Sequence, residues 1–109
     1  MAYDEALADR VRDLLADRGE LREQKMFGGL CWMLNGNMAC GVLNDDLIVR
    51  VGKDAGDQAL ADPNARPFDF SGRAMKGTVF VGPGGTEDDA DLASWVDAGA
   101  GYALSLPPK

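Results

Sequence analysis

Apolar residues recur along the chain with two periods, and the change from one to the other outlines the architecture. From Asp4 to Arg18, Leu7, Val11, Leu14 and Leu15 return every three to four residues behind an acidic first turn, with Gly19 as a stop. This spacing predicts an amphipathic first helix. Leu30-Cys31-Trp32-Met33-Leu34 is then an unbroken apolar run, followed by Asn35-Gly36, Asn37 to Leu43, Asn44-Asp45, and Asp46 to Val51. Asn-Gly between apolar runs is a strong hairpin signal, so the segment predicts a three-stranded antiparallel meander.

Two-residue turns fix an expected register. Leu34 falls opposite Asn37, Met33 opposite Met38, Trp32 opposite Ala39 and Cys31 opposite Cys40; Val42 falls opposite Leu47 and Cys40 opposite Val49. One sheet face then carries Cys31, Met33, Met38, Cys40, Val42, Leu47, Val49 and Val51, the apolar set that covering helices require. The other carries Leu30, Trp32, Leu34, Ala39, Gly41, Leu43, Ile48 and Arg50.

Further along, Asp54 to Asp62 predicts a short second helix capped by Asp54 and ended by Pro63. Phe68 to Phe70 and Met75 to Val81 read as strands around a Ser71-Gly72 turn. Thr86 is placed to cap a last helix that buries Leu92, Trp95 and Val96 and weakens at Gly99-Ala100-Gly101. The expected fold is α+β: a two-layer α/β sandwich with an antiparallel sheet, in the order α-β-β-β-α-β-β-α, as one domain over residues 1–109.

Composition narrows what such a domain does. The chain has 109 residues, enough for one modest core, with 46% hydrophobic and 27% charged residues, as in ordinary globular proteins. Its net charge of -7 and pI near 4.4 set a field that repels phosphate backbones, so no direct nucleic-acid binding is expected. Neither a signal peptide nor a membrane-spanning apolar stretch is legible, and two cysteines without an export signal suit a reducing compartment; a cytoplasmic location is expected. The chain has no histidine, which removes the commonest general base and metal ligand. No catalytic residues, metal site or cofactor are expected, and enzyme activity ranks last.

Four groups of residues invite a functional reading. Leu30, Trp32, Leu34 and Ile48 form an apolar patch on the second sheet face, which two-layer folds leave uncovered. It is either an interface for a partner or a second copy, or is covered by the termini or the Arg66 to Arg73 loop. Lys25, Gly28 and Gly29, with Arg50 or Arg73, are a candidate anion contact, set against glycines that form a bulge or begin a strand. Cys31 and Cys40, facing across the hairpin, are either packed thiols or a strained pair. Arg50, Arg66, Arg73 and Lys76 read chiefly as solvated strand-edge charges, and Glu87, Asp88, Asp89 and Asp91 as helix N-terminal charge.

Lys25-Met26-Phe27-Gly28-Gly29, then Asn35-Gly36-Asn37-Met38-Ala39, Asp45-Asp46-Leu47-Ile48-Val49-Arg50 and Pro67-Phe68 together resemble the TfoX N-terminal domain family, from about Gln24 through Trp95. The resemblance implies a secretion-chaperone-like α/β sandwich and a regulatory role, since the family's named members are regulators of bacterial competence. In those members a helical C-terminal domain follows, which has no counterpart before Lys109. The family supplies no catalytic residues to carry over. The functional expectation is a non-enzymatic interaction or regulatory domain, including a transcription coregulator that works through another protein; the alternative is a small-molecule or anion sensor.

Overall fold

The computed structural model describes residues 3–26, 28–68 and 77–108. Helix α1 spans Glu5–Leu15, strands β1 to β4 span Leu21–Met26, Gly29–Leu34, Asn37–Leu43 and Asp46–Arg50, and helix α2 spans Gly56–Leu60. Strands β5 (Ala65–Pro67) and β6 (Thr78–Val81), a 3-10 turn (Pro83–Gly85) and helix α3 (Asp89–Ser105) complete the order. The strands form one antiparallel sheet, β1-β2-β3-β4-β6-β5. The expected α+β order is present, with β1 added ahead of the meander. Ser71 and Gly72, the expected turn between the last two strands, lie outside the described residues.

All three helices lie against one face. Leu7, Val11 and Leu15 from α1 and Leu92, Val96, Ala100 and Ala103 from α3 join Cys40, Val42, Leu47, Val49, Val79 and Val81 of the sheet in one core. Ala55 and Ala59, at and within α2, are partly buried against it. The opposite face carries a smaller cluster, Ile48, Phe68 and Phe80, with Met38 and Leu43 alongside.

The turns follow the sequence reading, but the register changes beyond the first. Asn35 and Gly36 both take positive φ (53° and 84°), as a two-residue hairpin needs, and Leu34 pairs with Asn37 and Met33 with Met38. A bulge then intervenes: Trp32 pairs with Cys40, Cys31 with Gly41 and Leu30 with Val42, leaving Ala39 as the extra residue. The β3–β4 pairs are as expected. One extra residue exchanges the faces of β2 relative to β3, so Leu30, Trp32, Leu34 and Ala39 enter the helix-covered core.

The bulge explains the glycine in the middle of α3. A Cβ on Gly99 would lie 2.5 Å from the Ala39 carbonyl oxygen and 2.8 Å from Cys40 Sγ, so helix and bulge approach as closely as backbone allows. Gly99 therefore sits inside a continuous helix rather than ending one. Asn37 anchors the far end: its amide, buried in the sheet, donates to the carbonyls of Ala103 (3.4 Å), which also accepts from Leu106 N–H, and of Pro107 (3.0 Å), just past the end of α3.

Two helix caps differ from expectation. Asp88, not Thr86, caps α3, accepting from Ala90 and Asp91 N–H, while the Thr86 hydroxyl donates back to Pro83 in the 3-10 turn. Helix α2 begins after Ala55 with no side-chain cap, so Asp54 does not serve it. Asp4 caps α1, accepting from Leu7 N–H at 3.1 Å.

Candidate functional site

Few of the expected site residues are brought together. The interface patch of Leu30, Trp32, Leu34 and Ile48 does not exist: the first three are core residues under the helices, at 3%, 0% and 0% exposure. Ile48 alone faces the other way, and it is also fully buried. The Trp32 indole N–H donates to Glu23 at 3.0 Å, and Glu23 is paired to Arg12 at 2.7 Å, so this tryptophan is a satisfied core residue.

The expected anion contact is dispersed in the same way. Lys25 lies on the edge strand β1 and Arg50 at the end of β4, three strand spacings across the sheet, or about 14 Å. Gly28 takes positive φ (82°) in the tight turn before β2, and a Cβ on Gly29 would lie 2.1 Å from the Val42 carbonyl oxygen. The two glycines thus serve a turn and a close strand approach. Arg50 places its guanidinium 5.3 Å from the centre of the Tyr102 ring, a cation–π contact. Arg73 lies outside the described residues. Arg66 is paired to Asp46 and stacks on Phe80 at 4.7 Å.

The cysteines do not face one another, because the bulge sets Cys31 opposite Gly41. Both are free and buried. Burial pushes the Cys31 thiol up to about 11; burial, with the nearby Cys31, pushes Cys40 up to about 12. Thiols so far from ionisation at neutral pH are poor nucleophiles. Among the described residues no group of three or more His, Cys, Asp or Glu could hold a metal ion.

A concave feature of the surface lies elsewhere, between α2 and α3, where a solvent-open cleft encloses about 710 Å³. Its walls follow from helical spacing. Along α3, Asp91, Trp95, Ala98 and Tyr102 recur at three- and four-residue intervals and so share one stripe. Trp95 and Tyr102 stand two turns apart, about 10 Å along the axis, with Asp97, Ala98 and Gly101 lining the cleft between them. On the opposite wall, Ala55 and Ala59 are again small, and Asp62 follows. Small residues on both helices hold the cleft open between two aromatic rings.

The cleft is acidic. Asp62, Asp91 and Asp97 line it, and among the described residues no basic side chain does. Arg18 pairs with Asp97 from outside. Asp62 accepts a bond from Asn64 N–H at 2.8 Å, which fixes its carboxylate, and Asp91 has no ion-pair partner among the described residues. Trp95, expected in the core, is only partly buried and turns part of its ring to this cleft.

An open antiparallel sheet with its helices on one face, and a cleft between two of them, defines a small α+β domain. The model of the TfoX N-terminal domain matches residues 13–103, and the chain belongs to that family. The family is one of regulatory-type domains. No curated protein matches the chain. Among the described residues no helix is long and apolar enough to cross a membrane.

Proposed function

We propose that the chain is a regulatory protein-interaction domain which docks a partner protein in the α2–α3 cleft and carries out no turnover of its own. The observation that carries this reading is the cleft, with its aromatic pair Trp95 and Tyr102 on a floor of small residues. Half-buried Trp and Tyr beside a concavity are the residue types that anchor protein interfaces. The buried thiols and the lack of histidine support a role in binding rather than catalysis. With a net charge of -7, the chain acts on transcription, if at all, through a DNA-binding partner rather than by gripping DNA itself.

Capture of tagged protein from lysate of its source cells, followed by mass spectrometry, tests the reading when paired with Ala98→Trp, which fills the floor of the cleft at an exposed position. A protein retained by the wild type and lost with Ala98→Trp supports it. Equal capture by both refutes it. The ligand-sensor alternative keeps one observation, since about 710 Å³ lies within the range of small-molecule sites. A panel of amines and metabolites that raises the melting temperature of wild type but not of Ala98→Trp would favour it.

A further inference from the structure

We infer that the occupant of the α2–α3 cleft is a basic segment of a partner protein, one of whose Arg or Lys side chains lies against Trp95. The inference rests on the docking reading above and adds the chemistry of the partner. Among the described residues three carboxylates line the cleft and no cation does, so its field selects positive charge, and the net charge of -7 reinforces that selection at longer range. Asp91 stands one turn before Trp95 on the same stripe of α3, which puts a carboxylate and an indole on the same wall of the cleft. An aromatic face next to a carboxylate is the arrangement that takes up a guanidinium or ammonium: the ring packs the aliphatic stem and attracts the charge, and the carboxylate accepts its hydrogen bonds.

The other ring shows the same chemistry already in use. Tyr102 carries the Arg50 guanidinium at 5.3 Å, a cation of the chain's own that lies outside the cleft lining. Its charge directs an incoming cation away from Tyr102 and toward Trp95 and Asp91. Asp97 contributes less, because Arg18 neutralises it. The cleft is open to solvent, which leaves room for a side chain delivered from a protein backbone.

The test is a titration of the whole domain with a hexa-arginine peptide, read by calorimetry and by tryptophan fluorescence, to which Trp32 contributes as well as Trp95, with a hexa-glutamate peptide and arginine amide as comparators. The expected dissociation constant for hexa-arginine is about 0.1–1 mM at low salt, with no binding of hexa-glutamate and far weaker binding of arginine amide. Asp62→Asn/Asp91→Asn lowers the affinity about fivefold, whereas Glu5→Gln/Asp13→Asn, an equal change of charge on α1, lowers it less than about twofold. Trp95→Ala lowers it about fivefold with the carboxylates intact. Equal losses from the two double variants, or none from Trp95→Ala, would overturn the inference in favour of diffuse attraction to an acidic protein. Arginine amide binding as tightly as the peptide would overturn the protein partner in favour of a small organic cation. A captured partner that is lost with Ala98→Trp but indifferent to Asp62→Asn/Asp91→Asn leaves the docking reading standing and removes this one.

Discussion

Gly99 and Gly101 lie two residues apart in α3, and the fold predicts opposite outcomes for replacing each with alanine. Both substitutions gain up to about 1 kcal/mol from the better helix propensity of alanine. At Gly101 a Cβ meets nothing within 4 Å, so that gain is kept. At Gly99 the new carbon lies 2.5 Å from the Ala39 carbonyl oxygen, about 1 Å short of the ~3.5 Å of ordinary contact, and 2.8 Å from Cys40 Sγ. The opposing oxygen belongs to a bulged backbone flanked by paired residues, so relief requires α3 to lift from a core that includes Val96, Ala100 and Ala103. Overpacking of this kind costs about 1–3 kcal/mol, which leaves Gly99→Ala about 1–3 kcal/mol less stable than Gly101→Ala and, after the propensity gain, up to about 2 kcal/mol less stable than wild type. Urea unfolding followed by circular dichroism measures both variants. Gly99→Ala should lower the midpoint and Gly101→Ala should hold or raise it. A Gly99→Ala protein as stable as Gly101→Ala would refute the close approach of helix and bulge, and with it the register that buries Trp32.

Three further outcomes follow from the packing. Glu23→Leu leaves the Trp32 indole N–H without its acceptor and should cost about 1–3 kcal/mol in urea unfolding, whereas Glu23→Gln keeps an acceptor and should cost less. Hydrogen bonding to Arg12 holds the Glu23 carboxyl below its ordinary 4.5 in the folded state; its stabilising contribution is therefore full above about 4.5 and lost as pH falls through the lower folded value. Acid titration of stability should show a shallower loss in Glu23→Gln, and identical profiles would contradict the assignment. Asn37→Ala removes the side-chain donor to the Ala103 and Pro107 carbonyls, of which Ala103 keeps the Leu106 N–H, and should cost about 1 kcal/mol, seen as a lowered melting temperature. Cys31 and Cys40 should resist a thiol reagent at neutral pH in the folded protein and react fully in denaturant; fast reaction of native protein would show that they are less buried than described.

Much of the fold is legible in the sequence because local signals and tertiary packing agree there. Asn35-Gly36 sets a hairpin whatever surrounds it, and the Leu7, Val11 and Leu15 stripe needs only a core to face. Strand β1 escapes such reading because it is an edge: Arg22, Glu23, Gln24 and Lys25 are all exposed, and no apolar alternation marks it. The bulge at Ala39 is a tertiary event with no turn residue to announce it, yet it decides which face Trp32 occupies and so removes the patch that the regular register predicts. A glycine inside the last helix was the available clue, since it marks where another backbone comes close. The cleft was also within reach: Asp91, Trp95, Ala98 and Tyr102 share one stripe of α3. What the sequence does not carry is the second wall, because α2 has only five residues and sits where the fold, not its own periodicity, puts it.

Placing a photo-crosslinking amino acid at Ser94 in the cleft, and separately at Arg22 on the outer edge of β1, tests the docking surface most directly. Illumination of living cells expressing each protein should yield a discrete heavier band from the Ser94 position, containing a second protein, and none from Arg22. A band of equal strength from Arg22, or bands from neither position in cells where the protein is captured with a partner, would contradict a partner seated between α2 and α3.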